Sequence, residues 1–172
     1  GRMKMEIEDE LFARYRETRF PATVVHPGHI SGRKWLPIDP QGTRNGVDVY
    51  RKLAAGDVVH LPRHGRETLH HVHGDDVAQL FELALEQRER SLGESFSAVA
   101  PYAMSLVGCC EYVASLFGTT PNLEFVAMDE LEKILGKAAA AATHEHVRHS
   151  PCSSIAKARD VLGYQPRYTT EQ

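Results

Sequence analysis

Long apolar runs are missing from this chain: VVHLP and AAAAA fall far short of the roughly 20 residues a membrane helix needs. No N-terminal signal pattern is present either, so a cytoplasmic protein that does not engage a membrane is expected. Cysteine is scarce. Cys109, Cys110 and Cys152 lack metal-ligand spacing, and an odd number without a signal implies reduced thiols used for packing. Concentrated positive charge is absent as well. The net charge is -3, with acidic and basic residues intermingled, which excludes the basic stripe of a nucleic-acid-binding surface. There is no HExxH and no Cys-His pair, so the histidine clusters HHVH (His70, His71, His73) and HEHVRH (His144, His146, His149) are read as surface or hydrogen-bonded residues and no metal is assigned. Internal repeats and low-complexity linkers are also missing.

What is present is the composition of one soluble globular body: 172 residues, 42% hydrophobic and 25% charged, enough to bury a core without staples. Met3, Ile7, Leu11 and Tyr15 recur every four residues between Arg2 and Arg19, which predicts a helix whose apolar stripe faces a core or a partner. Ala22 to His26, closed by Pro27-Gly28, predicts a short buried strand leading into a loop. HISGRKWLPIDPQGTRNG is Gly- and Pro-rich, holds the single Trp, and is too long for a plain connector, which makes it a candidate binding loop.

Further on, a helix is expected from Val47 to Ala54, then strands at VVHLP and TLHHVH joined by RHGRE and forming a small sheet. Asp75 or Asp76 is expected to cap a helix with Val77, Leu80, Phe81 and Ala84 on one face. ESFSAV and LEFVAM read as strands, Ser105 and Asp129 as helix caps, and Gly118 and Gly163 as helix stops. An alanine-rich helix spans about Lys137 to His149. This alternation predicts an α/β fold with short strands and several helices.

Three segments in order, GRMK followed by Glu8, HPGHISG, and HHVHGDDVA, resemble the extended short-chain dehydrogenase/reductase family, in its branch of NAD-dependent epimerases and dehydratases. The resemblance implies that residues 1–172 are the C-terminal, substrate-binding portion of such a Rossmann-type fold. It also implies that the chain starts at the catalytic helix, one residue after the family's tyrosine, with the N-terminal cofactor half lying outside it. GxGxxG is absent, in keeping with that expectation.

On this resemblance Lys4 is the catalytic and cofactor-binding lysine, whose charge lowers the pKa of the tyrosine one helical turn away. Pro27, Gly28, His29 and Ile30 are implied cofactor contacts, and His29 also an implied substrate contact. Arg33, Trp35 and Arg66 are further substrate candidates, with Arg63 near Arg66. The phosphate-binding arginine of nucleotide-sugar relatives is replaced by Leu69. Asp76 is expected to cap its helix, and in SIAKARDVLGYQPRYT the resemblance implies that Leu162 and Tyr164 pack.

The implied cofactor is NAD or NADP in the intact parent, with none expected on this chain alone. The implied partners are a small oxygenated, sugar-like substrate and a second copy bound through the N-terminal helix. The competing expectation is a non-catalytic binding or oligomerisation module derived from the same fold.

Overall fold

In the computed structural model, residues 2–43 and 46–172 are described; Gly1, and Arg44 and Asn45 of the Gly/Pro-rich loop, lie outside the described residues. The match of Gly1 to the Tyr-Gly pattern therefore falls outside them too. Helix α1 (Arg2–Thr18) leads to β1 (Val24–Pro27) and β2 (His29–Ser31), then α2 (Asp48–Ala55) and β3 (Val58–Pro62). Strands β4 (Thr68–Leu69) and β5 (His71–His73) precede α3 (Gly74–Glu86) and α4 (Arg88–Ser91). Strands β6 (Ser95–Ala98) and β7 (Met104–Ser105), helix α5 (Leu106–Leu116), β8 (Asn122–Val126), α6 (Met128–Leu135), α7 (Lys137–Val147) and α8 (Ala156–Leu162) complete the chain.

Strand pairing differs from the small local sheet expected of VVHLP and TLHHVH. β3 pairs in parallel with β8, with Val59 opposite Leu123, while β4 pairs antiparallel with β7 and β5 pairs in parallel with β2. β1 pairs in parallel with β6, Val25 opposite Phe96. The expected strand at TLHHVH is thus split at His70, and its halves serve two cores. Leu69 joins Leu53, Val59, Leu61 and Leu106 in one hydrophobic cluster; Val72 joins Leu80, Phe96, Leu162 and Tyr164 in the other.

That placement explains the two buried histidines. His70 donates from Nε2 to the Ala100 carbonyl (2.9 Å) and accepts at Nδ1 from the Ser153 amide (3.1 Å). His71 donates from Nε2 to the Ile38 carbonyl (3.1 Å). Buried polar atoms so paired avoid the desolvation penalty of an orphaned group.

Helix ends follow local chemistry, with two corrections. Ser105 Oγ accepts from the Gly108 amide at 3.0 Å, as expected of a cap, and Gly118 and Gly163 end their helices with φ of 70° and 75°. Asp129, however, lies inside the first turn of α6, where the cap position is Ala127, and its charge still complements the helix dipole there. Asp76 does not cap α3 either. That role falls to His73, whose Nδ1 accepts from the Asp75 amide at 3.2 Å.

Asp76 is instead fully buried, and its carboxylate accepts from the amides of Arg167 (2.8 Å) and Tyr168 (3.2 Å). It pins the C-terminal tail to the body. Asp76→Ala leaves two amides without their acceptor, at about 1–3 kcal/mol each. It is expected to lower the urea midpoint and to expose the tail to protease first; an unchanged midpoint with a protected tail would contradict this role.

Leu162 and Tyr164 pack as expected, at 1% and 0% exposure. Cys110 is buried, but Cys152 is exposed, contrary to a packing role for all three cysteines. No helix among the described residues is long and apolar enough to cross a membrane.

Candidate functional site

Lys4 stands exposed on α1. Its i+4 neighbour Glu8 would ordinarily pair with it, yet Glu8 Oε1 lies 3.1 Å from His26 Nε2 at the end of β1. No carboxylate among the described residues forms an ion pair with Lys4. The Glu8–His26 contact turns this face of the helix toward Pro27, with Lys4 one turn, about 6 Å, further along the axis. Below, Tyr15 seats the helix on Gly93, where a Cβ would fall 2.2 Å from the tyrosine ring. No residue of α1 is buried.

Pro27 to Ile30 carry the chain from β1 into β2, between the two strand pairs. The Gly28 amide donates to the Ala98 carbonyl (3.0 Å) and the His29 amide to the His70 carbonyl (2.8 Å). Ile30 packs on the second core, so its side chain is committed to folding and only its backbone remains for a ligand. The His29 ring lies 5.7 Å from that of His71 and 5.4 Å from that of His146, centroid to centroid. Among the described residues no three His, Cys, Asp or Glu side chains are arranged to hold a metal.

Arg33 and Trp35 lie on a tight hairpin closed by reciprocal hydrogen bonds between Gly32 and Trp35 (3.0 and 2.9 Å). Gly32, at φ 152°, brings this hairpin against the His73 ring, 3.1 Å from where a Cβ would sit. The hairpin borders a cleft of about 280 Å³ whose other walls are Ser31, His73 and the tail residues Thr170 to Gln172. Tyr168 stacks on His73 at 3.8 Å and thereby positions that tail. Arg66 is exposed on the turn before β4 and does not line the cleft, and neither Lys4 nor Pro27 to Ile30 lines it; of the expected site residues Arg33 and Trp35 do. The 37–43 half of the expected binding loop is largely structural: Asp39 Oδ1 accepts from the Gln41 and Thr43 amides (2.8 and 3.0 Å), and Thr143 of α7 donates to the Gln41 carbonyl.

Sequence reading missed a second space that opens off this cleft. An apolar cavity of about 280 Å³ lies between Leu36, Pro37 and Ile38 on one side and Tyr112, Leu116 and Phe117 on the other. Leu69, Met104 and Cys109 floor it, and His71, Thr170 and Glu171 are shared with the cleft. The signal was in α5. Leu106, Cys110 and Ala114 form its buried face, while Cys109, Tyr112, Val113 and Leu116 make a second apolar stripe at helical spacing, and a helix with two such faces has two things to cover.

Burial sets the protonation of this region. Desolvation holds the His71 pKa well below its ordinary 6.5, at about 4, and pushes the Cys109 thiol up to about 12, so both are neutral near pH 7. Because folded His71 resists protonation while the unfolded side chain does not, the unfolded state binds more protons between about pH 4 and 6.5. Stability should therefore fall, by on the order of 2–3 kcal/mol, as pH drops through that window. Burial also lowers the pKa of His70, adding in the same sense, whereas burial raises that of Asp39, which acts oppositely at lower pH. His71→Gln keeps a donor for the Ile38 carbonyl and is expected to flatten the pH dependence of the urea midpoint in this window; an unchanged slope would count against it.

The sequence matches no family profile and no curated protein. Solved structures do share its fold. UDP-N-acetylglucosamine 4-epimerase from Bacillus cereus superposes with a TM-score of 0.64 at 16% identity over 96% of this chain and 50% of its own. The fold is that of about half an epimerase or dehydratase. UDP-glucose 4-epimerase from Thermotoga maritima, solved with UDP-glucose, gives 0.62 at 21% identity over 98% of this chain and 48% of its own. dTDP-glucose 4,6-dehydratase from Bacillus anthracis, solved with NAD, gives 0.63 at 16% identity over 96% and 46%. The chain thus spans about half the length of these epimerase/dehydratase structures, and the expected α/β class with short strands and several helices holds.

Proposed function

We propose that this chain is the substrate-binding half of an NAD(P)-dependent epimerase, dehydratase or carbonyl reductase acting on a small oxygenated substrate, and that it does not catalyse alone. The observation that carries the reading is the seat of α1: Glu8 is engaged by His26 at the end of β1, and Lys4, one turn before it, forms no ion pair among the described residues. An unneutralised lysine at that place suits the ribose hydroxyls of a nicotinamide nucleotide. The backbone of Pro27, Gly28 and His29 would line the carboxamide side, and His29 and Arg33 would meet the substrate. Bound nicotinamide would supply or accept the hydride. Lys4 would hold the cofactor and, by its charge, favour the ionised form of a neighbouring phenol, so that a proton moves to or from the substrate oxygen near neutral pH.

The lack of any buried residue on α1 supports two further parts of the reading: a cofactor half or a second copy covers Met3 and Ile7, which are 74% and 55% exposed. A binding module derived from this fold would use the same face, but it gives no reason for a Lys4 that forms no ion pair among the described residues. Calorimetric titration of NAD into the 172-residue chain is expected to give no binding heat, because the phosphate-binding loop belongs to the other half. Micromolar affinity would overturn this division of labour.

A further inference from the structure

We infer that the cavity between the 36–38 segment and α5 receives a neutral molecule, an aromatic or alkyl body bearing a carbonyl or hydroxyl, and that it rejects nucleoside diphosphates. The carbonyl or hydroxyl rests on the hydride-transfer reading above; the apolar body rests on the cavity alone. Its walls are the side chains of Leu36, Ile38, Tyr112, Leu116 and Phe117 over a floor of Leu69 and Met104. Such a surface gains free energy from covering carbon and loses it from stripping water off a phosphate.

Charge points the same way. Among the lining side chains no lysine or arginine occurs, and Glu171 stands at the mouth, its carboxylate accepting from Tyr102 Oη at 2.6 Å. That hydrogen bond holds the Glu171 pKa below the usual carboxylate range, so the mouth is negative at neutral pH. His71 and Cys109 contribute no compensating charge. Inside the cavity a pyrophosphate would meet a carboxylate and no lysine or arginine, whereas a neutral ring meets mostly apolar side chains. The volume of about 280 Å³ is at the low end of ligand pockets, which run roughly 300–1,000 Å³, and suits a one- or two-ring compound. The polar cleft that adjoins it through Leu36, His71 and Glu171 then receives the oxygen-bearing end.

Trp35, the single tryptophan, adjoins Leu36 at the boundary of the two spaces and reports on occupancy by its fluorescence. Benzylacetone and UDP-glucose are titrated separately into the 172-residue chain, with calorimetry alongside. Benzylacetone is expected to bind saturably, with UDP-glucose at least about tenfold weaker. Phe117→Ala and Leu36→Asp alter side chains that are 56% and 42% exposed, so folding survives. Each is expected to raise the benzylacetone Kd about tenfold or more.

UDP-glucose binding as tightly as benzylacetone would overturn the inference, as would benzylacetone affinity unmoved in both variants. Hydride transfer is read separately, as NADH oxidation by the intact parent proposed above. Benzylacetone bound there but not reduced would remove the hydride chemistry and leave the cavity assignment standing. UDP-glucose bound and converted would do the reverse.

Discussion

Gly28→Ala should be among the most damaging single-atom changes to this protein. A Cβ at that position would lie 2.4 Å from the backbone oxygen of His70 and 3.2 Å from Val99 Cγ1. The obstacle is backbone, not the end of a flexible side chain, and it is fixed from both sides. The His70 carbonyl accepts from the His29 amide at 2.8 Å, and the Gly28 amide is tied to the Ala98 carbonyl at 3.0 Å. Relief therefore means breaking one of those hydrogen bonds or displacing His71, whose strand carries the register with His29. Overpacking and a lost hydrogen bond together are expected to cost about 3 kcal/mol or more, which for a chain of this size lowers Tm by roughly 6–12 °C. Gly74→Ala is the internal comparison. Its nearest neighbour is 3.8 Å away and it opens α3, so its Tm should stay within about 2 °C of the parent. Equal losses at the two glycines would show that close backbone approach is not what position 28 requires.

The periodic parts of the fold were legible in the sequence because one rule governs each. Four-residue spacing marked α1, Ser105 marked the start of α5, and Gly163 marked the end of α8. Strand partners were not legible, since VVHLP and TLHHVH sit close in sequence but find partners far along it, at β8, β7 and β2. Long-range pairing is decided by which core each residue reaches. Leu69 and Val72, three positions apart, go to different cores, and no local pattern encodes that split. Asp76 shows the same limit. A carboxylate at a helix start reads as a cap, yet its partners are the amides of Arg167 and Tyr168, about ninety residues away in sequence.

The candidate site divides the same way. Lys4, Pro27, Gly28 and His29 were marked by a motif resemblance, and Arg33 and Trp35 by loop composition; the structure sets Arg33 and Trp35 along one cleft, ties the His29 amide to the His70 carbonyl, and holds Glu8, one turn after Lys4, against His26. The apolar cavity was not marked, because its walls come from three distant segments, residues 36–38, α5 and the tail, whose meeting is purely tertiary. Arg66, marked only by being an arginine near the matching segment, lies away from the cleft.

Lys4→Ala carries the second large effect, on cofactor handling and not on folding. Lys4 is exposed, and no ion pair involving it occurs among the described residues, so its removal should leave Tm unchanged. If its ammonium holds the cofactor ribose and sets the pKa of the catalytic phenol, the same change removes both a charged hydrogen bond and the proton-transfer balance. Turnover is then expected to fall roughly 10²-fold or more. The decisive measurement is NADH affinity, by fluorescence, in the intact parent proposed above, with Lys4 and with Ala at that position. The account predicts a Kd raised about tenfold or more by the substitution at unchanged Tm. An unchanged Kd would contradict it.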